Sequence, residues 1–110
     1  MIEIILLNYL NDKLSVPVYP ERPENEPDSY VLIEKTGSGK KDHINRATIA
    51  LKSYAESLYK AAELNEIVKK AMEEIIEECD ISKSELNSDY PFTDVTSKRY
   101  RYQAVFDLYY

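Results

Sequence analysis

The spacing of apolar residues changes along residues 46–76, and this change organises the predicted fold. Apolar side chains first alternate with polar ones, at Ala47, Ile49 and Leu51, as in a strand with one buried face. From Leu58 they recur at steps of three and four, as on one side of a helix. These later positions are Leu58, Ala61, Ala62, Leu64, Val68, Ala71, Met72, Ile75 and Ile76. The pattern predicts a strand followed almost at once by a long amphipathic helix, which packs on the sheet that contains the strand.

A shorter helix is predicted at the start of the chain. Its apolar positions, at helical spacing within residues 1–14, are Ile2, Ile5, Leu6, Tyr9, Leu10 and Leu14. Residues 16–20 contain two prolines and are expected to be extended. Residues 20–28 combine further prolines with charged side chains, so we predict a mobile loop there.

The remaining strands come from alternating or β-branched segments at residues 29–36, 93–97 and 99–110, of which the last alternates most clearly. Residues 37–43 hold both glycines and are predicted to form a hairpin loop. The polar residues 79–92 are predicted to form a second loop, with one helical turn near Leu86 as an option. We therefore predict one α+β domain over residues 1–110. It has a small mixed or antiparallel sheet of about four strands, packed against one long helix, with a short N-terminal helix and mobile loops at 20–28, 37–43 and 79–92.

Composition limits the classes of function. The formal net charge is -6, whereas dedicated nucleic-acid binders contact phosphates through clustered Lys and Arg, so no direct nucleic-acid recognition is expected. The single cysteine, Cys79, cannot form an intramolecular disulfide. The apolar opening segment is interrupted by Glu3, Asn8 and Asn11 and lacks the features of a signal peptide. We expect a cytoplasmic protein with no membrane segment.

The residue chemistry does not indicate catalysis. His43 is the only histidine and has no cysteine partner, which disfavours a metal site or a Ser/His/Asp triad. Gly37 and Gly39 precede two lysines, but their spacing differs from that of a phosphate-binding loop, and a strand follows where that loop requires a helix. We therefore expect neither an enzyme nor a bound cofactor or metal.

Charge and tyrosine content indicate contacts with other proteins. The long helix is rich in Glu, while basic residues cluster near the hairpin and at residues 98–101. Surfaces of opposite sign allow copies of a domain to associate front to back, although a solvated surface explains the same pattern. Tyrosine makes up 10 of the 110 residues, and Tyr and Arg are enriched at protein interfaces. The candidate subunit or partner contacts are Lys40, Lys41, Arg46, Arg99, Arg101, Tyr109 and Tyr110.

Four stretches carry a resemblance to a known family. They are LNDKLSVPVY at 10–19, YVLIEKTGSG at 30–39, ATIALKSYAESLYKAAELNEIVKKAM at 47–72 and RYQAVFDLY at 101–109. In these stretches, and in the order of its predicted elements, the chain resembles the tail terminator and tail completion (head-tail joining) proteins of long-tailed phages with noncontractile tails.

The resemblance implies a small α/β domain that closes into a hexameric ring on the tail tube, ends tube growth and offers a surface to which the filled head docks. Its partners would be other copies of the chain, the tail tube protein and the head or neck proteins. Its location would be the host cytoplasm during assembly and then the tail-head junction of the virion. Two alternatives stay open: another neck or head-completion component, and a small non-enzymatic regulatory module whose basic residues bind an acidic partner.

Overall fold

The computed structural model describes residues 1–93 and 99–110. Its elements are α1 (Ile2–Lys13), β1 (Val18–Tyr19), β2 (Tyr30–Lys41), β3 (Ile44–Ala55), α2 (Leu58–Glu78), β4 (Lys83–Pro91) and β5 (Tyr100–Tyr109). The strands form one sheet in the order β1-β2-β3-β5-β4. β1 is parallel to β2, and the other neighbours are antiparallel. The predicted α+β class, the short N-terminal helix and the long helix are confirmed.

Both helices contribute to one core on the same face of the sheet. α2 packs over β3, β5 and β4, while α1 lies against β1 and β2. The buried side of α2 includes Val68, Met72 and Ile75, which share a core cluster with Ile49 of β3 and Phe106 of β5. The period change in the sequence therefore marks the point where the chain leaves the sheet and turns back to cover it.

The change from β3 to α2 needs only a short connection, residues 56–57. Ser57 is extended, with φ -140° and ψ 160°, and its side-chain oxygen accepts a hydrogen bond from the backbone N–H of Lys60 at 3.1 Å. A serine in this position satisfies one of the free N–H groups at a helix start. The helix thus begins where the helical spacing begins in the sequence.

The sheet has five strands, where about four were predicted. Residues 83–91, assigned from the sequence to a loop or helical turn, form the edge strand β4. That prediction was wrong because β4 meets α2 partly through a charged contact, in which Lys69 donates to Asp89 at 3.0 Å, so few apolar side chains mark the strand. β1 supplies the fifth strand. Of the short strand predicted at 93–97, only Thr93 lies within the described residues, and it is not in a strand.

The hairpin between β2 and β3 is much tighter than the predicted loop at 37–43. β2 continues through both glycines to Lys41, and the turn consists of Asp42 and His43, with φ values of 51° and 66°. Positive φ at both turn residues matches the twist of the paired strands. Gly37 follows a bulge at which the β2–β3 register shifts, a position where glycine occurs inside strands. The glycines here are therefore strand residues, and the loop prediction was wrong.

The sheet face opposite the helices is polar only towards the hairpin end. There Thr48 of β3 donates to Asp107 of β5 at 2.6 Å, and Asn87 of β4 donates to the same carboxylate at 3.1 Å. These hydrogen bonds, that from Thr48 first, hold the pKa of Asp107 below its ordinary value. At the other end of this face Tyr30 and Tyr54 are buried.

Candidate protein-interaction site

Four of the predicted contact residues meet at the hairpin end of the sheet. Arg46 of β3 lies opposite Gly39 of β2 and opposite Tyr109 of β5. The lining of a concave surface at this end, whose volume is about 600 Å³, is completed by Lys40, Lys41, Asp42 and Ile44. We call the set Lys40, Lys41, Asp42, Ile44, Arg46 and Tyr109 the hairpin-end surface.

Gly39 lies within the lining of this concave surface. A Cβ added at Gly39 would have no other heavy atom within 4 Å, so the position is open space. Because side chains alternate across a strand, Lys41, Ile44, Arg46 and Tyr109 project from the same sheet face around this gap. Ile44 is 50% exposed, which places an apolar side chain within a basic rim.

The hairpin-end surface carries a net positive charge. In the described part of the chain, no carboxylate lies within ion-pair distance of Lys40, Lys41 or Arg46. Lys83 of the neighbouring β4 lies 5.5 Å from the centre of the Tyr109 ring, a distance at which cation–π attraction operates, and its ammonium is paired with Glu85 at 3.1 Å. An amphipathic, basic concave surface of this kind suits an acidic protein partner.

Arg101 does not belong to this surface. It lies at the other end of β5, is only 9% exposed, and donates from Nε to the Phe92 carbonyl at 2.8 Å and from a terminal nitrogen to the Tyr54 hydroxyl at 2.7 Å. Its guanidinium also lies 4.2 Å from the centre of the Phe92 ring. The Arg101 side chain is therefore enclosed by its own domain, and its part in a subunit or partner contact stays a prediction.

Arg99 is also used within the chain. It donates to the carbonyls of Pro27 and Asp28 at 3.0 and 2.7 Å, and its guanidinium lies 5.7 Å from the centre of the Tyr30 ring. These contacts fasten the proline-rich residues 20–28 to the sheet. Lys98, the third member of the basic cluster seen in the sequence, lies outside the described residues.

The same segment is held by a second set of contacts around Tyr30 and Tyr54, whose rings stack at 4.7 Å. Tyr30 donates to the Glu26 carboxylate at 2.6 Å, and Arg22 donates to the same oxygen. The hydrogen bonds from Arg22 and then Tyr30 lower the pKa of Glu26, while burial and the Glu26 carboxylate raise that of Tyr30 well above its ordinary value. Mobility of residues 20–28 stays a prediction, but any movement must break these contacts.

Tyr110 is more enclosed than the sequence suggested. It is half-buried and packs against the core, and its backbone exchanges hydrogen bonds with Asn45, at 3.0 and 2.9 Å. The end of β5 is thus hydrogen-bonded to β3 at the base of the hairpin. Tyr109, by contrast, faces the hairpin-end surface.

Sequence reasoning missed several exposed apolar side chains that frame other surfaces. Ile4 of α1 is 50% exposed, and Leu86 of β4 and the following Phe92 are 45% and 49% exposed. Ile4 was hidden in an apolar helix with apolar residues on several sides. Leu86 was hidden in a segment assigned to a loop, and only its isolation among polar residues could have marked it.

A scan against protein-family models finds no match for this chain, and a search of curated proteins finds no similar sequence. Within residues 1–93 and 99–110, neither helix is both long and apolar enough to cross a membrane. The same residues contain no group of three or more His, Cys, Asp or Glu side chains placed to hold a metal ion.

Proposed function

We propose that this chain is a structural assembly protein that forms a hexameric ring on a noncontractile phage tail tube and joins the tube to the head. The observation that carries the proposal is the position of the hairpin-end surface, which presents unpaired basic side chains at one end of the molecule. The exposed side of α2 is acidic, because the helix contains six Glu and three Lys. A molecule with basic and acidic surfaces in different places can make the head-to-tail contacts that close a ring.

The fold is consistent with this function in a second way. The structured core is complete without a partner, since both helices cover one sheet face and bury the apolar residues. The hairpin-end surface and the sheet edges then stay available for assembly. The resemblance noted in the sequence, which covers the end of α1 with β1, most of β2, most of the β3–α2 run and most of β5, supports the identity of the assembly.

The proposal is tested with tail tubes polymerised from the tube protein encoded in the same genome. We expect the purified chain to cap one end of these tubes, to stop their growth and to appear as a ring in electron micrographs. Lys41→Glu should reduce capping strongly, because it reverses a charge at the hairpin-end surface. Lys60→Glu is the matched control, since Lys60 is exposed on α2 in a long 3.9 Å ion pair with Glu56. Tubes that grow to the same length with and without the chain would refute the proposal.

The alternative of a small regulatory module that binds an acidic protein is favoured by the same basic concave surface. It differs in its expected stoichiometry, because a module binds one partner without forming a ring. Light scattering of the chain over a wide concentration range separates the two functions, as only the assembly protein associates with itself.

A further inference from the structure

One edge of the sheet is largely uncovered. β1 pairs with β2 only at Val31 and Leu32, and in the described residues no strand pairs with the outer edge of β2 at positions 33–41. The backbone groups on that side have no ladder partner, which makes the edge a template for another strand. Beside the start of this edge is a concave surface with a volume of about 470 Å³. Its apolar part includes Ile4, Leu7 and the largely buried Ile33, and its charged rim consists of Glu3, Glu34 and Lys35.

The opposite edge of the sheet is also not covered by any strand of residues 1–93 and 99–110. Among these residues β4 (Lys83–Pro91) pairs with β5 alone. Leu86 projects from the helix-covered face of this edge, because it lies opposite Phe106, and it is 45% exposed. Ile33 projects from the same face of the sheet at the other edge, because it lies opposite Leu51.

We propose that the open edge of β2 takes β4 of a second copy of this chain, so that the sheet continues from one subunit to the next. This contact specifies how subunits would join in the proposed ring, and it rests on the proposed function as a ring-forming assembly protein. In a continued sheet Leu86 of the neighbour enters on the side where Ile4, Leu7 and Ile33 form their apolar surface. The exposed Leu86, which borders α2 in its own subunit, and the groove of the neighbouring copy then cover each other.

The formal charges of the two edges differ in sign. Residues 34–41 of β2 contain three Lys against one Glu; Lys35 is paired with Glu3 at 3.2 Å, and Lys40 and Lys41 are the cations left for a second copy. β4 contains two carboxylates against one Lys, and both are paired within their own chain, Glu85 with Lys83 at 3.1 Å and Asp89 with Lys69 at 3.0 Å. β4 also brings α2 of the second copy close, because the two elements pack together, and α2 is acidic. Like-charged edges repel and opposite charges on paired strands attract, so β2 against β4 is favoured over two β2 or two β4 edges.

Each edge strand carries one bulge, which limits pairing with a second copy to the regular segments on either side of it. β2 has a register shift between Lys35 and Gly37, and β4 has one between Leu86 and Ser88. Lys35 and Leu86 lie at the same level of the sheet, since Lys35 is opposite Ile49, Ile49 is opposite Phe106 and Phe106 is opposite Leu86. Each edge therefore offers a short regular segment on either side of a central bulge.

The contact is heterologous, because each copy uses a different edge, and this allows a direct test. Ile4→Asp disables the β2 side and Leu86→Asp disables the β4 side. A charge in an apolar contact should lower the association constant of either variant by about tenfold or more. Mixing the two variants should restore a one-to-one pair, because each supplies the edge that the other lacks. Tyr100→Asp, at a side chain 41% exposed at the start of the inner strand β5, is the control and should assemble as the unmodified chain does.

Sedimentation and light scattering measure assembly, and amide hydrogen exchange identifies the strand. The proposal is supported if each single variant is monomeric, if mixing the two variants restores a pair, and if the amides of residues 33–41 are protected from exchange only in the assembled state. If both variants assemble like the unmodified chain, the edge contact is wrong while the ring proposal stands on tube capping. If the unmodified chain stays monomeric at millimolar concentration and with added tubes, both proposals fail.

Discussion

Replacing Arg101 by alanine should destabilise the domain without directly touching the hairpin-end surface. The side chain is 9% exposed and joins β5 to the Phe92 carbonyl and to the Tyr54 hydroxyl. Truncation removes both hydrogen bonds and the contact with the Phe92 ring. It also leaves the hydroxyl of Tyr54, a residue only 2% exposed, without its donor.

The expected loss in the free energy of unfolding is about 3 kcal/mol. Hydrogen bonds from a charged group are each worth roughly 1.5 kcal/mol or more, and an orphaned buried hydroxyl costs a similar amount. The ring contact adds about 0.5–1 kcal/mol. Removal of a buried charge returns part of this sum, because the guanidinium no longer needs to be desolvated. The remainder is a large share of the roughly 5–15 kcal/mol that is typical of a domain.

Urea unfolding followed by circular dichroism measures the effect, with Arg46→Ala as the matched control. Arg46 is exposed on the hairpin-end surface, so its truncation should change the free energy of unfolding by no more than about 0.5 kcal/mol. A double-mutant cycle with Tyr54→Phe should show a coupling of about 1 kcal/mol with Arg101. The reasoning is refuted if Arg101→Ala and Arg46→Ala unfold at the same urea concentration.

Three further changes test other parts of the structure, each by urea unfolding. Glu26→Gln should lower the free energy of unfolding by about 1 kcal/mol at pH 7. Because the folded pKa of Glu26 is lowered, its stabilisation is present above the unfolded pKa and is lost as pH falls through the folded pKa. The difference in free energy of unfolding between the variant and the unmodified chain should therefore shrink towards about pH 3. A difference independent of pH would contradict this assignment. Tyr9→Phe should cost about 1 kcal/mol, since the hydroxyl donates to the Ala71 carbonyl at 2.6 Å and joins the two helices. The control Tyr59→Phe, at a residue 76% exposed, should be neutral, and equal effects would exclude the interhelix bond as the cause. His43→Gly should raise the free energy of unfolding by about 0.5 kcal/mol, because a φ of 66° strains a residue with a side chain, and a loss of stability would show that the imidazole makes a favourable contact.

Hydrophobic spacing was enough to locate the elements that carry the core. The alternation at Ala47, Ile49 and Leu51 and the helical spacing from Leu58 correspond to β3 and α2, because both elements bury one continuous side. α1 and β5 were found for the same reason. β4 was missed because an edge strand with a charged contact to α2 does not need alternating apolar residues. The glycines of β2 were assigned to a loop because nothing in the local sequence distinguishes a bulge from a loop.

The candidate site was predicted in part. The sequence identified basic residues and tyrosines as contact candidates, and strand register gathered Lys40, Lys41, Arg46 and Tyr109 into one surface. The same strand pairing buries Arg101 within the domain. Composition cannot distinguish the exposed Arg46 from the buried Arg101, since both lie on strands and both follow an alternating pattern.

The sequence by itself determined the class of the fold, the two helices and the strands that form its centre, because burial along one side of an element leaves a local period. Only the tertiary structure decided which strand lies at which edge, which cations are exposed and which backbone edge is open. These properties depend on pairs distant in sequence, such as Arg46 with Tyr109 and Leu86 with Phe106. A local pattern records that a side chain is buried or exposed, but the neighbour that buries it is chosen by how the strands pair.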